Sequence, residues 1–196
     1  MLFRRLQVSQ AKILTAKELR RVLDHVASRK HAARNRLIVL MTHWAGMRVG
    51  EVAALRVSDV LNADGTVKTE IRPDATQTKG KHARAVFVSE RLQREIAIYV
   101  KLMSARQRTG QLFVTQKRTS FSANSLCHSL NHIYQQTGIA GASSHSGRRS
   151  FITTLASKGV GVRVLASLAG QRSIATTQAY IDVNDDQKRA AVELAG

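Results

Sequence analysis

Arg48 is the first residue in this 196-residue sequence whose surroundings favour binding of an anion. It lies in Ala45-Gly46-Met47-Arg48-Val49-Gly50-Glu51, a glycine-flanked segment that is typical of the entrance to a short helix. At such an entrance, backbone N–H groups and a guanidinium fork can face one anion together. The alternative is a surface arginine paired with Glu51, because a three-residue spacing between opposite charges is common on helices.

His145 and Arg148 form the second candidate group. Their three-residue spacing places both side chains on one face at the start of a predicted helix, with Arg149 offset around the axis. Positive charge at the amino end of a helix opposes the helix dipole, and a bound phosphate would remove that conflict. The alternative is a solvated basic helix start.

Tyr180 is the candidate nucleophile, at the end of Thr176-Thr177-Gln178-Ala179-Tyr180. A phenol with a pKa of about 10 attacks poorly until cations and a base assist it, and most tyrosines simply pack in a core. Moving a phosphodiester bond without a metal requires cations around the nonbridging oxygens, an attacking group and a proton donor for the departing oxygen. The sequence contains residues for each role.

The charge balance indicates the partner. The chain has 31 Lys and Arg against 13 Asp and Glu, a net charge of +18 that favours a polyanion such as nucleic acid. A membrane is disfavoured, because the strongest apolar run, residues 37–41, is too short to span one and residues 1–10 lack the apolar core of a signal peptide. We therefore expect a cytoplasmic, nucleoid-associated protein of bacterial type. Charge alone does not separate an enzyme from a passive nucleic-acid binder.

Metal and cofactor signals are weak in this sequence. The single cysteine, Cys127, excludes an internal disulfide, and the seven histidines show neither HExxH spacing nor a CxxC companion. We therefore expect chemistry without a metal or another cofactor.

The positioning elements predict an α+β fold, a mainly helical single domain with one small antiparallel sheet. Thr15-x-x-Glu18 predicts a capping box at the first helix, and Gly46 is expected to end the second helix in a left-handed conformation. Ser89 is predicted to cap a later helix. The apolar stripes that predict the four longer helices are Leu19, Val22, Leu23 and Val26; Leu37, Leu40, Met41 and Trp44; Leu92, Ile96, Tyr99, Val100 and Met103; and Leu126, Leu130, Ile133 and Tyr134.

The remaining segments predict the sheet and three short helices. Residues 56–89 favour the sheet, with a turn at residues 62–65 and a last strand at residues 85–88. The short helices are expected at roughly residues 146–158, 162–169 and 173–181, separated by Gly159 and Gly170. Residues 1–12 are expected to form an N-terminal arm and residues 184–196 a C-terminal tail, with no domain boundary between them.

Taken in order, these residues resemble the tyrosine recombinase, or phage integrase, family over about residues 14–183. The family pattern is an arginine in Gly-x-Arg-x-x-Glu, a lysine in a β-hairpin, His-x-x-Arg, Gly-His or Gly-Trp, and a tyrosine in Thr-Thr-x-x-Tyr. The corresponding positions are Arg48, Lys79, His145 with Arg148, Gly170-Gln171, and Tyr180. The segment Leu55-Arg56-Val57-Ser58-Asp59 also resembles the family. Gln171 is a departure, because a neutral amide can donate a hydrogen bond to phosphate but carries no charge.

The resemblance implies the tyrosine-recombinase catalytic fold and a recombinase that cleaves and rejoins double-stranded DNA without metal or ATP. It implies that Tyr180 bonds to the 3′ side of the cleaved strand, that Arg48 and Arg148 neutralise the phosphorane, and that His145 acts as base or orienter. Lys79 would protonate the departing 5′ oxygen, with Lys81 as the alternative. The predicted contacts with the DNA backbone are Lys81, His82, Arg84 and Arg149.

The resemblance also implies an assembly: a monomer or weak dimer in solution and a homotetramer on paired DNA sites. Residues 187–196 could dock on a neighbouring protomer or fold back on their own core. Only a short arm precedes the first helix, whereas two-part family members carry an N-terminal clamp domain, so a clamp-less member and a trimmed one both remain open. Two other functions also remain open, a non-catalytic regulator with a helix-turn-helix at residues 162–181 and a topoisomerase-like relaxase.

Overall fold

The computed structural model describes residues 10–73, 84–105, 107–171, 173–178 and 192–193, which are mainly helical. The helices are α1 Ala16–Ala27, α2 Ala32–Trp44, α3 Val49–Ala54, α4 Val57–Val60, α5 Glu90–Lys101, α6 Ala123–Gln136, α7 Ser146–Ser157, α8 Val162–Ala169 and α9 Ile174–Gln178, and the strands are β1 Glu70–Ile71 and β2 Val86–Phe87. This architecture confirms the predicted α+β class.

Helix α2 is the centre of the fold. Residues 37–41 are consecutive and buried, so this helix is apolar around its whole circumference at that point. It packs against α1, α3, α5 and α7. The helix that follows Arg48 and the helix that carries Arg148 are therefore fixed to the same central element.

Helix α1 begins as its sequence predicts. The Thr15 hydroxyl accepts from the Glu18 N–H at 3.2 Å, and a Glu18 carboxylate oxygen accepts from the Thr15 N–H at 2.9 Å, which completes the capping box. Leu19, Val22 and Val26 are buried on the face towards the core.

Within the described residues, the sheet is smaller than the pattern of residues 56–89 suggests. Strands β1 and β2 pair antiparallel over two residues each, and the predicted turn at residues 62–65 is present, with the Gly65 N–H donating to the Asn62 carbonyl at 3.0 Å. Residues 57–60 form α4 instead of a strand. The cause is local, because an Asp59 carboxylate oxygen accepts from the Arg56 N–H at 2.8 Å and caps a helical turn.

Helix α5 begins directly after Ser89, as predicted, but the Ser89 hydroxyl makes no capping hydrogen bond. The Ser89 carbonyl accepts from the N–H groups of Leu92 and Gln93. Packing of the apolar stripe of α5 on α2 therefore contributes more to the stability of this helix than a side-chain cap does.

The short helices at the carboxyl end lie close to their predicted positions. Helix α8 has the predicted bounds, α7 ends one residue earlier, and α9 is described only as far as residue 178. Gly159 and Gly170 adopt positive φ angles of 81° and 56°. In the part of the chain that the structure describes, no helix is long and apolar enough to cross a membrane.

Candidate active site

Three arginines from three separate segments meet at the carboxyl end of α8. Each donates a hydrogen bond to one of three consecutive main-chain carbonyls, those of residues 168–170. The pairs are Arg84 with Leu168, Arg148 with Ala169 at 2.5 Å, and Arg48 with Gly170 at 2.7 Å. The last carbonyls of a helix lack intrahelical partners and carry partial negative charge, so cations are favourable there.

Gly46 supplies a further acceptor to the same cluster. Its carbonyl accepts from Arg148 at 2.6 Å and from Arg84 at 3.4 Å. Its φ of 60° favours glycine, and a Cβ atom at this position would lie 2.3 Å from the Phe151 ring. The predicted left-handed turn at Gly46 is therefore confirmed, and this turn places a carbonyl between two of the arginines.

Arg48 lies at the amino end of α3 and makes the contact with Glu51 that the sequence analysis gave as the alternative to anion binding. Its side chain pairs with Glu51 at 2.8 Å, and its second terminal nitrogen reaches the end of α8. The Arg48 main-chain N–H also donates to Glu51 at 2.8 Å, which fixes the start of the helix. The side chain remains 36% exposed, and a guanidinium has five N–H groups, so Arg48 retains donors for an anion.

The Arg84 side chain is mostly buried. Its side chain is 8% exposed, and its Nε and Nη2 atoms donate to the two carboxylate oxygens of Glu51 at 3.2 Å and 2.7 Å. A side chain so placed is poorly suited to the predicted contact with the DNA backbone. The sequence carried a signal for this position, because Arg84 precedes Val86 and Val88 at two-residue spacing and both valines are buried.

Glu51 is the acidic centre of the cluster, with a side chain that is 2% exposed. Burial raises the pKa of this carboxyl, but the hydrogen bonds and positive charges of Arg84 and Arg48 outweigh burial and hold the pKa below its ordinary value. Glu51 is therefore ionised at neutral pH, and it orients two arginines at once.

Helix α7 presents His145 and Arg148 at its amino end. His145 is the exposed residue that directly precedes the helix. The loop before it is held by Ser144, whose N–H donates to the Asn131 amide oxygen at 2.7 Å and whose hydroxyl lies 3.0 Å from the Cys127 sulfur. The structure thus fixes the backbone of His145 one helical turn before Arg148.

Arg149 lies apart from the cluster. Its Nη1 atom donates to the Ala11 carbonyl at 2.9 Å, and the neighbouring Ser150 hydroxyl accepts from the Leu14 N–H at 2.7 Å. Arg149 therefore holds the chain that precedes α1 against α7. Its contact with DNA stays a prediction.

Gln171 connects α8 to α9. Its N–H donates to the Ala166 carbonyl at 2.8 Å, and its side-chain oxygen accepts from the buried Thr177 hydroxyl at 2.5 Å. Gly170 is confined at this junction, since a Cβ atom there would lie 2.2 Å from Arg84 Cδ. The other predicted site residues, Lys79, Lys81, His82 and Tyr180, lie outside the described residues.

The described cluster is suited to holding an anion. Three guanidinium groups face one carboxylate and several neutral carbonyls, so positive charge predominates. Among the residues described, no group of three or more His, Cys, Asp or Glu side chains is arranged to hold a metal ion.

Comparisons with known proteins identify relatives of the chain. The model of the phage integrase family matches residues 12–187. Tyrosine recombinase XerA of Thermococcus kodakarensis is 30% identical over 190 residues, which cover 95% of this chain and 64% of the relative. The chain thus spans less than two thirds of the length of that relative.

Two solved structures share the fold. The crystal structure of XerA recombinase matches with a TM-score of 0.73 at 24% identity, over 100% of this chain and 66% of that one. The Tn1549 transposon integrase in complex with circular intermediate DNA matches with a TM-score of 0.74 at 16% identity, over 97% of this chain and 69% of that one. These likenesses confirm the fold expected from the sequence.

Proposed function

Since the chain belongs to the phage integrase family, we propose that it is a site-specific DNA recombinase that cleaves and rejoins strands through a 3′-phosphotyrosine intermediate. The observation that carries this proposal is the convergence of Arg48 and Arg148. These residues are remote in sequence, yet their guanidinium groups donate to the adjacent carbonyls of Ala169 and Gly170. Two permanently charged forks at one place suit the nonbridging oxygens of a phosphodiester.

The two forks act mainly on the transition state. Negative charge on the nonbridging oxygens increases as the phosphorane forms, and donors fixed in advance stabilise that charge more than they stabilise the bound substrate. In this structure, Glu51 and the neutral carbonyls hold the two arginines before DNA binds. This support fits preorganised transition-state stabilisation.

In the proposed step, the Tyr180 phenolic oxygen bonds to the phosphorus and the bond to the 5′ oxygen breaks. The phenol gives its proton to His145 as base, and Lys79 donates a proton to the departing 5′ oxygen, with Lys81 as the alternative donor. The 5′ hydroxyl of a second strand then attacks the phosphotyrosine and gives its proton to Lys79, and His145 returns a proton to Tyr180 as the phenol leaves. Because each step exchanges one phosphoester for another, rejoining needs no ATP.

Gln171 takes the position at which the family pattern has His or Trp. Its side-chain oxygen is occupied by Thr177, which leaves the amide N–H group as the donor for a phosphate oxygen. Because Thr177 lies three residues before Tyr180, the same bond fixes the helix that leads to the nucleophile.

The proposed partner is double-stranded DNA, in keeping with the net charge of +18. Lys81, His82 and Arg149 are the proposed backbone contacts, and the proposed location is the cytoplasm with the nucleoid. We expect a monomer or weak dimer in solution and a homotetramer on paired sites. Analytical ultracentrifugation tests this assembly. A protein that stays monomeric when it is bound to paired DNA sites contradicts it.

The decisive test of the chemistry is covalent capture. Binding-site selection followed by sequencing supplies a target duplex, and a nick beside the cleavage position lets the short 5′ fragment diffuse away. The parent chain is expected to give a protein–DNA adduct that survives denaturant, and Tyr180→Phe is expected to give none. Tyr134→Phe is the matched control, because Tyr134 is buried in the core and its variant should still form the adduct.

The alternatives predict other outcomes. A regulator with a helix-turn-helix binds the selected site without any adduct, and no observation favours it. A relaxase forms the adduct and relaxes supercoiled DNA but exchanges no strands between two sites. Either outcome overturns the proposed recombinase activity.

A further inference from the structure

Arg84 and Arg48 share one buried carboxylate. Glu51 accepts two hydrogen bonds from the Arg84 side chain, at 3.2 Å and 2.7 Å, and one from the Arg48 side chain, at 2.8 Å. Arg84 is the more buried of the two arginines, with 8% of its side chain exposed against 36% for Arg48. The inner arginine therefore neutralises Glu51, and the outer arginine faces solvent.

The charges in this trio decide how much of Arg48 is available to a ligand. Two guanidinium groups and one carboxylate carry one net positive charge. Without Arg84, the ionised Glu51 would cancel the charge of Arg48, and a phosphate would meet a neutral pair. A buried carboxylate that loses its main partner also attracts the remaining cation more strongly, because little water screens the pair.

Arg84 also joins segments that carry other site residues. Its Nη1 atom donates to the Leu168 carbonyl at the end of α8, and its Nη2 atom lies 3.4 Å from the Gly46 carbonyl, which also accepts from Arg148. Arg84 follows Lys79 by five residues in the sequence. One buried side chain therefore fixes the supports of both Arg48 and Arg148.

We propose that Arg84 is a positioning residue of the strand-cleavage reaction: it neutralises Glu51, so that Arg48 keeps its charge for the phosphate, and it holds the end of α8 in place. This inference rests on the proposed function. Arg84 itself does not touch DNA, and its effect passes through Glu51 and Arg48.

Other titratable groups near α3 do not take the place of Arg84. Helices α2 and α6 pack against α3. Their titratable side chains are Arg34, Arg36 and His43 on α2 and Cys127, His128, His132 and Tyr134 on α6. Within the described ranges, the ion pairs and side-chain hydrogen bonds of Glu51 are with Arg48 and Arg84.

The first test separates positioning from DNA contact. The cleavage rate on a saturating nicked duplex and the DNA affinity at several salt concentrations are measured for Arg84→Gln. Arg72→Gln is the matched control, because Arg72 directly follows β1 and pairs with Glu70, but its side chain is 77% exposed. Arg84→Gln is expected to lower the cleavage rate about tenfold to a hundredfold, as displacement of a reacting group does.

The salt dependence of affinity is expected to stay unchanged in Arg84→Gln, because a buried arginine releases no counterions from DNA. A direct phosphate contact would lower the slope by about one unit, and that result overturns the inference. A cleavage rate equal to that of Arg72→Gln overturns it as well.

The second test is a rescue that a merely structural role would not give. Arg84→Gln combined with Glu51→Gln restores one net positive charge to the trio. The double variant is therefore expected to cleave about tenfold faster than Arg84→Gln alone, the scale of effect that a well-placed charge has on such a reaction. A double variant no faster than the single one contradicts the charge argument.

The pH profile gives an independent readout. In Arg84→Gln the main counterion of Glu51 is gone. The effect of burial then dominates, and the pKa of Glu51 rises. Lowering the pH then protonates Glu51 and frees Arg48, so the rate relative to the parent chain should rise as pH falls. The double variant should lack this rise, and a flat ratio for Arg84→Gln would overturn the inference.

Arg84→Lys keeps the inference testable if Arg84→Gln fails to fold. Lysine keeps the charge but not the two-pronged fork, so we expect a slower reaction without any relative gain at low pH. A gain at low pH in this variant contradicts the inference. If the parent chain forms no adduct, the proposed function fails; if the parent forms the adduct and Arg84→Gln cleaves at the parent rate, only this inference fails.

Discussion

Gly147→Ala should damage the site by separating two helices. Gly147 lies in α7, between His145 and Arg148, where that helix touches α2. A Cβ atom at this position would lie 2.3 Å from the Thr42 hydroxyl oxygen, 2.9 Å from Thr42 Cβ and 3.2 Å from the His43 main-chain nitrogen. The Thr42 hydroxyl donates to the Val39 carbonyl at 2.8 Å in a buried setting, so moving it breaks a hydrogen bond, and the backbone of His43 cannot yield alone.

The magnitude follows from two opposing effects. Overpacking a core contact costs about 1–3 kcal/mol, whereas alanine is favoured over glycine inside a helix by up to about 1 kcal/mol. We therefore expect a net loss of about 1–2 kcal/mol in the free energy of unfolding. Gly50→Ala in α3 is the matched control, because its Cβ would meet only Ala123 Cβ at 3.6 Å, an ordinary contact. That variant should keep or gain stability.

Urea unfolding of the two variants measures the stability difference, and covalent capture on the nicked duplex measures the chemistry. A displacement of about 1 Å at the start of α7 moves Arg148 away from Arg48, and such a misplacement can lower a rate about a hundredfold. Equal stability of Gly147→Ala and Gly50→Ala, together with a parent-like cleavage rate for Gly147→Ala, would refute the argument from close helix packing.

Three further predictions concern charge and protonation. Arg148→Ala should cost about 3 kcal/mol of transition-state stabilisation in single-turnover cleavage while sparing much of the DNA affinity, and equal losses of both would contradict its role. Gln171→Glu replaces a proposed phosphate donor with an anion, so cleavage should slow about a hundredfold, whereas an unchanged rate would remove Gln171 from the site. Burial and the nearby charge of Arg91 lower the pKa of His43 from 6.5 to about 4, so the unfolded chain binds this proton more readily and stability should fall as pH drops from 6.5 towards 4. Unfolding curves for the parent chain and His43→Asn test this, and identical slopes in that range would contradict it.

Elements with a strong local signal were predictable from sequence. The Thr15 capping box gave the start of α1, and the glycine at residue 170 gave the end of α8. Helix α4 was not predicted, because its position depends on distant parts of the chain as well as on Asp59. The Val57 N–H donates to the Gly110 carbonyl at 3.0 Å, a contact across more than fifty residues that no local pattern encodes.

The charged side chains of the site were predictable from the sequence, but the hydrogen-bond acceptors that hold them in place were not. Arg48 and Arg148 stand out in the sequence because of their glycine and histidine neighbours. The acceptors that bring them together are main-chain carbonyls, which every residue has and which leave no sequence signature. Arg84 was predicted to contact the DNA backbone, although its two-residue spacing from Val86 and Val88, which are both buried, is compatible with an inward position.

The choice of acceptors explains how the cluster stays positive. A carboxylate fixes a guanidinium firmly but cancels its charge, whereas a main-chain carbonyl holds the same group and cancels none. Arg148 is held by the carbonyls of Gly46 and Ala169, while Arg48 and Arg84 share a single carboxylate. Among the described contacts, three guanidinium groups thus meet a single carboxylate. Because carbonyls at a helix end are already aligned, the guanidinium groups need little rearrangement when an anion arrives, which is the condition under which electrostatic stabilisation of a transition state is largest.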